Sequence, residues 1–107
     1  MRCVIIDDEL PAIQVLETYI QQIPGLTIVG TSTNPILGIE LIKKQKADVA
    51  FLDIQMDEMN GIDVSHVIGS EVKIVFCTAY SEFAVESYEL NAVDYLMKPI
   101  AFNRFVR

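Results

Sequence analysis

Five short apolar runs recur along the chain and constrain its fold more than any other feature of the sequence. They start at intervals of roughly twenty residues, separated by stretches with helical spacing of apolar side chains. The runs cover residues 3–6, 26–29, 49–52, 73–77 and 93–97. An apolar run without polar alternation predicts a strand that is covered on both faces. Strands alternating with helices in this way predict right-handed crossovers and a parallel α/β sheet.

Proline and capping residues indicate where the helices begin. Pro11 suits the first turn of a first helix, in which Leu10 occupies one of the apolar positions. Asn34 and Pro35 predict the cap and first turn of a second helix, with Leu37 on its apolar face. Three more helices are predicted at residues 62–68, at residues 82–90 and, incompletely, at residues 102–107.

Length and charge limit the classes of protein to which the chain can belong. A chain of 107 residues predicts one domain, residues 1–107, and its net charge of −7 disfavours direct nucleic-acid binding. Because the last predicted helix is incomplete, we expect this domain to be the N-terminal part of a longer protein. No apolar run approaches the ~20 residues of a membrane span, and acids follow the first strand too soon for a secretory signal. A cytoplasmic location is therefore expected, with Cys3 and Cys77 as buried reduced thiols.

Polar residues come directly after four of the apolar runs. They are Asp7 and Asp8 after the first run, Asp53 after the third, Thr78 after the fourth and Lys98 after the fifth. The carboxyl ends of parallel strands meet at one edge of the sheet, where ligands bind in open α/β folds. We therefore expect these five side chains to converge.

The chemistry of this set predicts a metal and a phosphoryl group. Three carboxylates at one edge repel one another unless a divalent cation binds between them. Oxygen ligands suit Mg²⁺ or Mn²⁺, and the lack of His and Cys in the set argues against Zn²⁺. The Thr78 hydroxyl and the Lys98 ammonium group suit a phosphoryl group. Asp53 ends the central strand and is the candidate nucleophile, forming an acyl phosphate.

These residues in this order resemble a known family. The series Asp7-Asp8, Asp53, Thr78-Ala79 and Lys98-Pro99 resembles the receiver domain of two-component response regulators over essentially the whole chain. Residues 78–100 are similar to receivers of LytTR-type (LytR/AlgR-like) transcriptional regulators. The resemblance implies a flavodoxin-like, doubly wound, five-stranded parallel sheet in the order 2-1-3-4-5, with the last helix truncated. It also implies that Asp53 takes its phosphoryl group from a phosphohistidine of a sensor histidine kinase.

The same resemblance implies roles for individual residues. Asp8, Asp53 and the backbone carbonyl of Gln55 would bind Mg²⁺, and Asp7 would do so through water. Thr78 and Tyr95 would form the switch pair, and the peptide bond between Lys98 and Pro99 would be cis. The full-length protein would form a homodimer through the fourth helix, the fifth strand and the last helix, and would control an attached DNA-binding domain. Such a domain catalyses its own phosphorylation and dephosphorylation without turnover in the enzymatic sense.

Several other interpretations remain at this stage. Asp7 or Asp8 could cap the first helix. The single histidine, His66, is predicted to be a surface residue. A phosphate-ester hydrolase is disfavoured, because it would need a second acid at the position of Gln55. A flavin-binding electron carrier is disfavoured, because the acidic residues after the first strand would repel the phosphate of the flavin. Asp57 stands where receivers usually carry proline. The main alternative is a receiver-like interaction module that acts without phosphorylation.

Overall fold

The computed structural model describes residues 1–53, 61–69, 72–78 and 94–97, and only the backbone of Gly61, Ile62, Ser65, Thr78 and residues 94–97. Within these ranges strands and helices alternate along the chain. The elements are β1 (Arg2–Ile6), α1 (Leu10–Gln21), β2 (Thr27–Ser32), α2 (Pro35–Gln45), β3 (Val49–Leu52), α3 (Gly61–Ile68), β4 (Lys73–Thr78) and β5 (Asp94–Met97). The helices predicted at residues 82–90 and 102–107 lie outside the described residues.

The described strands form one parallel sheet in the order β2-β1-β3-β4-β5. This arrangement confirms the predicted flavodoxin-like α/β fold. β3 lies at the centre, between β1 and β4, and all four of its residues are buried. Because every strand runs in the same direction, the sheet has one edge where the strands begin and one where they end. We call these the amino edge and the carboxyl edge.

Each face of the sheet is covered by a separate apolar cluster. Alternate residues of β1 point to opposite faces, so that Val4 and Ile6 belong to one cluster and Cys3 and Ile5 to the other. The first cluster includes Ile42 of α2, Val64 of α3, Leu52 and Phe76, and the second includes Ile13, Leu16 and Ile20 of α1 with Phe51 and Cys77. The helices therefore lie on both faces, as a doubly wound sheet requires.

Both cysteines are buried and free. Burial raises the pKa of the Cys3 thiol, so the thiol stays protonated near neutral pH. The prediction that Cys3 and Cys77 are buried is confirmed. Among the described helices, none has the length and apolar character needed to cross a membrane.

Two local predictions were wrong. The second apolar run, residues 26–29, predicted a short strand that ends at Gly30, but β2 continues to Ser32, because Gly30 to Ser32 pair in register with the second half of β1. A shift in register between Cys3 and Val4 leaves one extra residue in β2. Leu10 and Leu37 were assigned to apolar helix faces, but each is 55% exposed.

The ends of α2 and α3 use different capping devices. The Asn34 side chain accepts hydrogen bonds from the backbone N–H groups of Ile36 (2.9 Å) and Leu37 (3.1 Å), which confirms the predicted cap. The C-cap residue of α2 is Lys46, which has the left-handed backbone conformation at φ 53°. Gly69 follows α3 with φ 83°, a value at which glycine avoids the strain of a side chain.

α2 lies unusually close to β1 at Gly38. A Cβ atom on Gly38 would lie 2.4 Å from Cδ1 of Ile6, which is well inside van der Waals contact. Ile6 is fully buried in the cluster beneath α2. Glycine therefore sets the distance between this helix and the sheet.

Candidate functional site

Four acidic side chains meet at the carboxyl edge of the sheet. Asp7, Asp8 and Glu9 follow β1, and Asp53 follows β3. One carboxylate oxygen from each of the four lies within 4.8 Å of those of the other three. We call these four residues the acidic cluster. The structure thus brings together Asp7, Asp8 and Asp53, as the strand order predicted.

The backbone positions the two acids that follow strands. The Asp53 N–H donates to the carbonyl of Ile6 (3.1 Å), and the Asp7 N–H donates to the carbonyl of Ser32 (3.2 Å). Each bond extends the hydrogen-bonding pattern of the sheet one residue beyond a strand. Because Ile6 and Leu52 are register partners, Asp7 and Asp53 are side by side on neighbouring strands.

The members of the acidic cluster differ in exposure. Asp7 is 1% exposed and Asp53 is 4% exposed, whereas Asp8 and Glu9 are exposed to solvent. Two nearly buried carboxylates that lie this close repel each other strongly, since the interior screens charge less than water does. The cluster therefore combines two acids fixed in the protein with two that water and solutes can reach.

Neither Asp7 nor Asp8 occupies the N-cap position of α1. The N-cap residue of α1 is Glu9, and its side chain makes no capping hydrogen bond. Oδ1 of Asp7 instead accepts a hydrogen bond from the Glu9 N–H (2.9 Å), which closes the turn between β1 and α1. The turn directs three consecutive acidic residues towards Asp53.

The donor atoms of the acidic cluster fit a hard divalent cation. All four are carboxylate oxygens, the ligands that Mg²⁺ and Mn²⁺ prefer, and none is a sulfur or imidazole nitrogen. Glu9 was not among the predicted ligands. Its position as the third acid in an unbroken acidic run after β1 was the signal that could have included it.

The other predicted site residues are described only in part. Thr78 is the last residue of β4, and the register pairs Thr78 with Met97 and Phe76 with Tyr95. The Thr78 backbone therefore lies at the carboxyl edge, on the strand next to β3. Gln55, Lys98 and Pro99 lie outside the described residues. His66 is exposed, as predicted.

A doubly wound parallel sheet with an acidic cluster at its carboxyl edge is the architecture of a signalling receiver. Comparison with known proteins agrees with this interpretation. The family model for the response regulator receiver domain matches residues 3–107. The chain therefore belongs to the response regulator receiver domain family. The predicted family is confirmed.

Individual relatives agree with this assignment. The chain is 38% identical over 109 residues to an uncharacterized response regulatory protein of Yersinia pestis, covering 100% of this chain and 46% of the relative. It is 38% identical over 102 residues to the transcriptional regulatory protein BtsR of Escherichia coli, covering 94% of this chain and 43% of BtsR. The chain thus spans less than half the length of these relatives.

A solved structure shows the same fold. The response regulatory domain of protein mrkE from Klebsiella pneumoniae superposes with a TM-score of 0.91 at 33% identity, covering 99% of this chain and 89% of that domain. The described residues therefore have the fold of a known receiver domain.

Proposed function

We propose that this chain is a phosphorylation-dependent signalling receiver whose phosphoacceptor is Asp53. The observation that carries the proposal is the placement of Asp53, which directly follows the central strand, is 4% exposed and has a carboxylate oxygen within 4.8 Å of those of three other acids. Membership in the receiver family supports a sensor histidine kinase as the donor, because receiver domains in general take phosphoryl groups from such kinases. The free, buried cysteines favour a reducing compartment, and we place the domain in the cytoplasm.

The transfer converts one covalent bond to phosphorus into another. An oxygen of the Asp53 carboxylate attacks phosphorus while the bond from phosphorus to the imidazole nitrogen of the donor breaks. The electron pair of that bond stays on the nitrogen, and Asp53 becomes an acyl phosphate. Its position beside Asp7 on the neighbouring strand restricts the motion of the nucleophile, which lowers the entropic cost of attack.

The acidic cluster is proposed to hold Mg²⁺ or Mn²⁺. Asp8, Asp53 and the backbone carbonyl of Gln55 would bind it directly, and Asp7 would do so through water. A bound divalent cation neutralises charge on the phosphoryl oxygens. Thr78 would donate a hydrogen bond to the phosphoryl group. Lys98 would balance its negative charge.

Output is proposed to pass through β4 and β5. Phosphorylation adds roughly −1.5 to −2 charge beside the end of β4, which would draw the Thr78 hydroxyl inward and let the Tyr95 ring change position. The backbone register supports coupling of this switch pair, since Thr78 lies only two residues beyond Phe76, the partner of Tyr95. The affected face, comprising residues 82–90, β5 and the last helix, would form a symmetric homodimer.

The output itself is proposed to be transcription. BtsR is a transcriptional regulatory protein more than twice as long as the segment it shares with this chain. Residues 78–100 also resemble receivers of LytTR-type regulators. A DNA-binding domain following the receiver would therefore be the element that the dimer controls.

Intact mass after incubation with acetyl phosphate and Mg²⁺ tests the proposal. We expect one added phosphoryl group on the unmodified protein, none on Asp53→Asn, and none in excess chelator. Asp63→Asn is the matched control, because Asp63 is an exposed acid in the first turn of α3 outside the acidic cluster. Labelling that survives Asp53→Asn would remove Asp53 from this role. Absence of labelling with any small donor or kinase would favour an interaction module that acts without phosphorylation.

A further inference from the structure

A second candidate site lies at the amino edge, on the opposite side of the molecule from the acidic cluster. A groove of about 470 Å³ lies where α2 and α3 end, lined by Ile42, Lys43, Lys46, Ala47, Ile68 and Val72. We call it the amino-edge groove. Its four apolar residues belong to the cluster beneath α2 and α3 or pack against it, so the groove opens directly onto the core. Its two lysines are exposed.

Basic residues gather around this groove. Within the described ranges all five Lys and Arg residues lie at the amino edge: Arg2 and Lys73 begin β1 and β4, and Lys43, Lys44 and Lys46 end α2. The Arg2 guanidinium donates to the carbonyl of Gln45 (2.8 Å) at the end of α2, so β1 and α2 meet there. Although the chain has a net charge of −7, its described basic residues are therefore concentrated at this edge.

The conformation of Lys46 also distinguishes the groove. A left-handed backbone is costly for a residue with a side chain, and glycine is the usual residue at such a helix end. Lys46 nevertheless takes φ 53° and is one of the residues that line the groove. The left-handed conformation at a surface lysine supports the hypothesis that its side chain has a use.

Charge compensation at the helix end explains these lysines only in part. Cations near a helix C-terminus are favourable, and Lys43 and Lys44 both lie in the last turn of α2. Lys44 does not line the groove, whereas Lys43 and Lys46 do. The two roles can therefore be separated by comparing Lys44 with its neighbours.

We propose that the amino-edge groove binds a short acidic segment of a partner protein, with an aliphatic side chain in the groove and carboxylates beside Lys43 and Lys46. Charge complementarity supports an anionic occupant, and the aliphatic lining supports an apolar side chain between its charges. A nucleic acid fits less well, because the described lining has no aromatic residue for base stacking. A membrane fits less well because the apolar surface is recessed.

This inference does not depend on phosphorylation of Asp53, which lies at the other edge of the sheet. It assigns a second contact surface to the domain, on the ends of α2 and α3. A partner bound there would leave the carboxyl edge accessible. The two proposals can therefore fail separately.

Methyl NMR titration with blocked peptides tests the groove. The peptide acetyl-Glu-Leu-Leu-Glu-amide should shift the methyl signals of Ile42, Ile68 and Val72. Replacing both Glu residues of the peptide by Lys, or both Leu residues by Ser, should abolish the shifts. Lys43→Glu and Lys46→Glu should each weaken binding about threefold, and the two together about tenfold.

Lys44→Glu is the matched control, because it makes the same charge change in the same helical turn outside the groove. It should change the Kd by less than about 1.5-fold. An equal loss from Lys44→Glu, or no methyl shift with the acidic peptide, would overturn the proposal. So would binding at these methyl groups by a DNA duplex or by anionic lipid vesicles in place of the peptide. Acetyl phosphate labelling of Asp53 should be the same in all four lysine variants.

Discussion

The two edges of the sheet hold charge in different ways. At the carboxyl edge, Asp7 and Asp53 are nearly buried and directly follow strands, so their backbone is fixed by the sheet. At the amino edge, Lys43 and Lys46 are exposed on the end of a helix, beside an apolar groove. Buried groups on neighbouring strands suit a small ion with strict geometry, whereas flexible exposed lysines suit a peptide that can adapt. One parallel sheet can therefore present two sites with different physical demands.

The largest effect is expected at the carboxyl edge, where added Mg²⁺ should raise the free energy of unfolding. At a concentration one hundred times its Kd, an ion that binds only the folded state raises the free energy of unfolding by about 2.7 kcal/mol. Asp8→Asn should reduce that gain and stabilise the metal-free protein, because it removes one exposed charge from the acidic cluster. Urea unfolding in chelator and in Mg²⁺ measures both effects.

Glu40→Gln is the control, because Glu40 is an exposed acid on α2 outside the acidic cluster. It should leave the response to Mg²⁺ unchanged. If Asp8→Asn is less stable than the parent in chelator and keeps the full Mg²⁺ response, the carboxyl edge is not a metal site.

Gly38→Ala should disturb both edges together, because α2 spans the sheet from one to the other. The added Cβ would meet Ile6 at 2.4 Å, and the helix would have to move outward. We expect a loss of about 1 to 2 kcal/mol in the free energy of unfolding, although alanine normally favours a helix. Gly30→Ala is the control, since its Cβ would meet only the end of the flexible Leu41 side chain, at 3.1 Å. Equal urea midpoints for the two variants would contradict this account.

Asn34→Ala tests the end of α2 at the carboxyl edge. Its side chain satisfies two backbone N–H groups, and removing such a cap costs about 1 kcal/mol. Urea unfolding should show this loss, and Asn34→Asp should largely restore stability because aspartate also caps. A loss of the same size in Asn34→Asp would assign the effect to something other than capping.

Lys46→Gly tests the other end of the same helix and should have the smallest effect. Glycine relieves the left-handed backbone, so the free energy of unfolding should rise by about 0.5 kcal/mol. The same change should weaken binding of the acidic peptide at the amino-edge groove. A variant that is both more stable and fully competent to bind would remove the functional reason for lysine at this position.

The sequence predicted the strands well because strands buried on both faces must be continuously apolar. It predicted the start of α2 because Asn34 and Pro35 act locally, whatever the rest of the chain does. The predicted end of β2 at Gly30 was wrong, because pairing with β1 decides where that strand stops. Leu10 and Leu37 follow helical spacing but lie at the starts of their helices, and both are exposed.

The site was predictable to the extent that it depends on strand order. Once the strands are parallel, Asp7 and Asp53 must share an edge. The inclusion of Glu9 depends on the turn that Asp7 closes by accepting the Glu9 N–H, a contact that apolar spacing does not encode. The amino-edge groove was not predicted, because it depends on where α2 and α3 end relative to each other.

The backbone hydrogen bonds of Asp7 and Asp53 do not depend on the side chains of these residues. Both amides donate to main-chain carbonyls, those of Ser32 and Ile6, so a change of side chain leaves these donors in place. Deuterium exchange at the two amides would therefore report opening of the strand ends independently of side-chain charge. Since Asp53→Asn keeps that bond, the exchange rate distinguishes a receiver that has lost its nucleophile from one whose sheet has loosened.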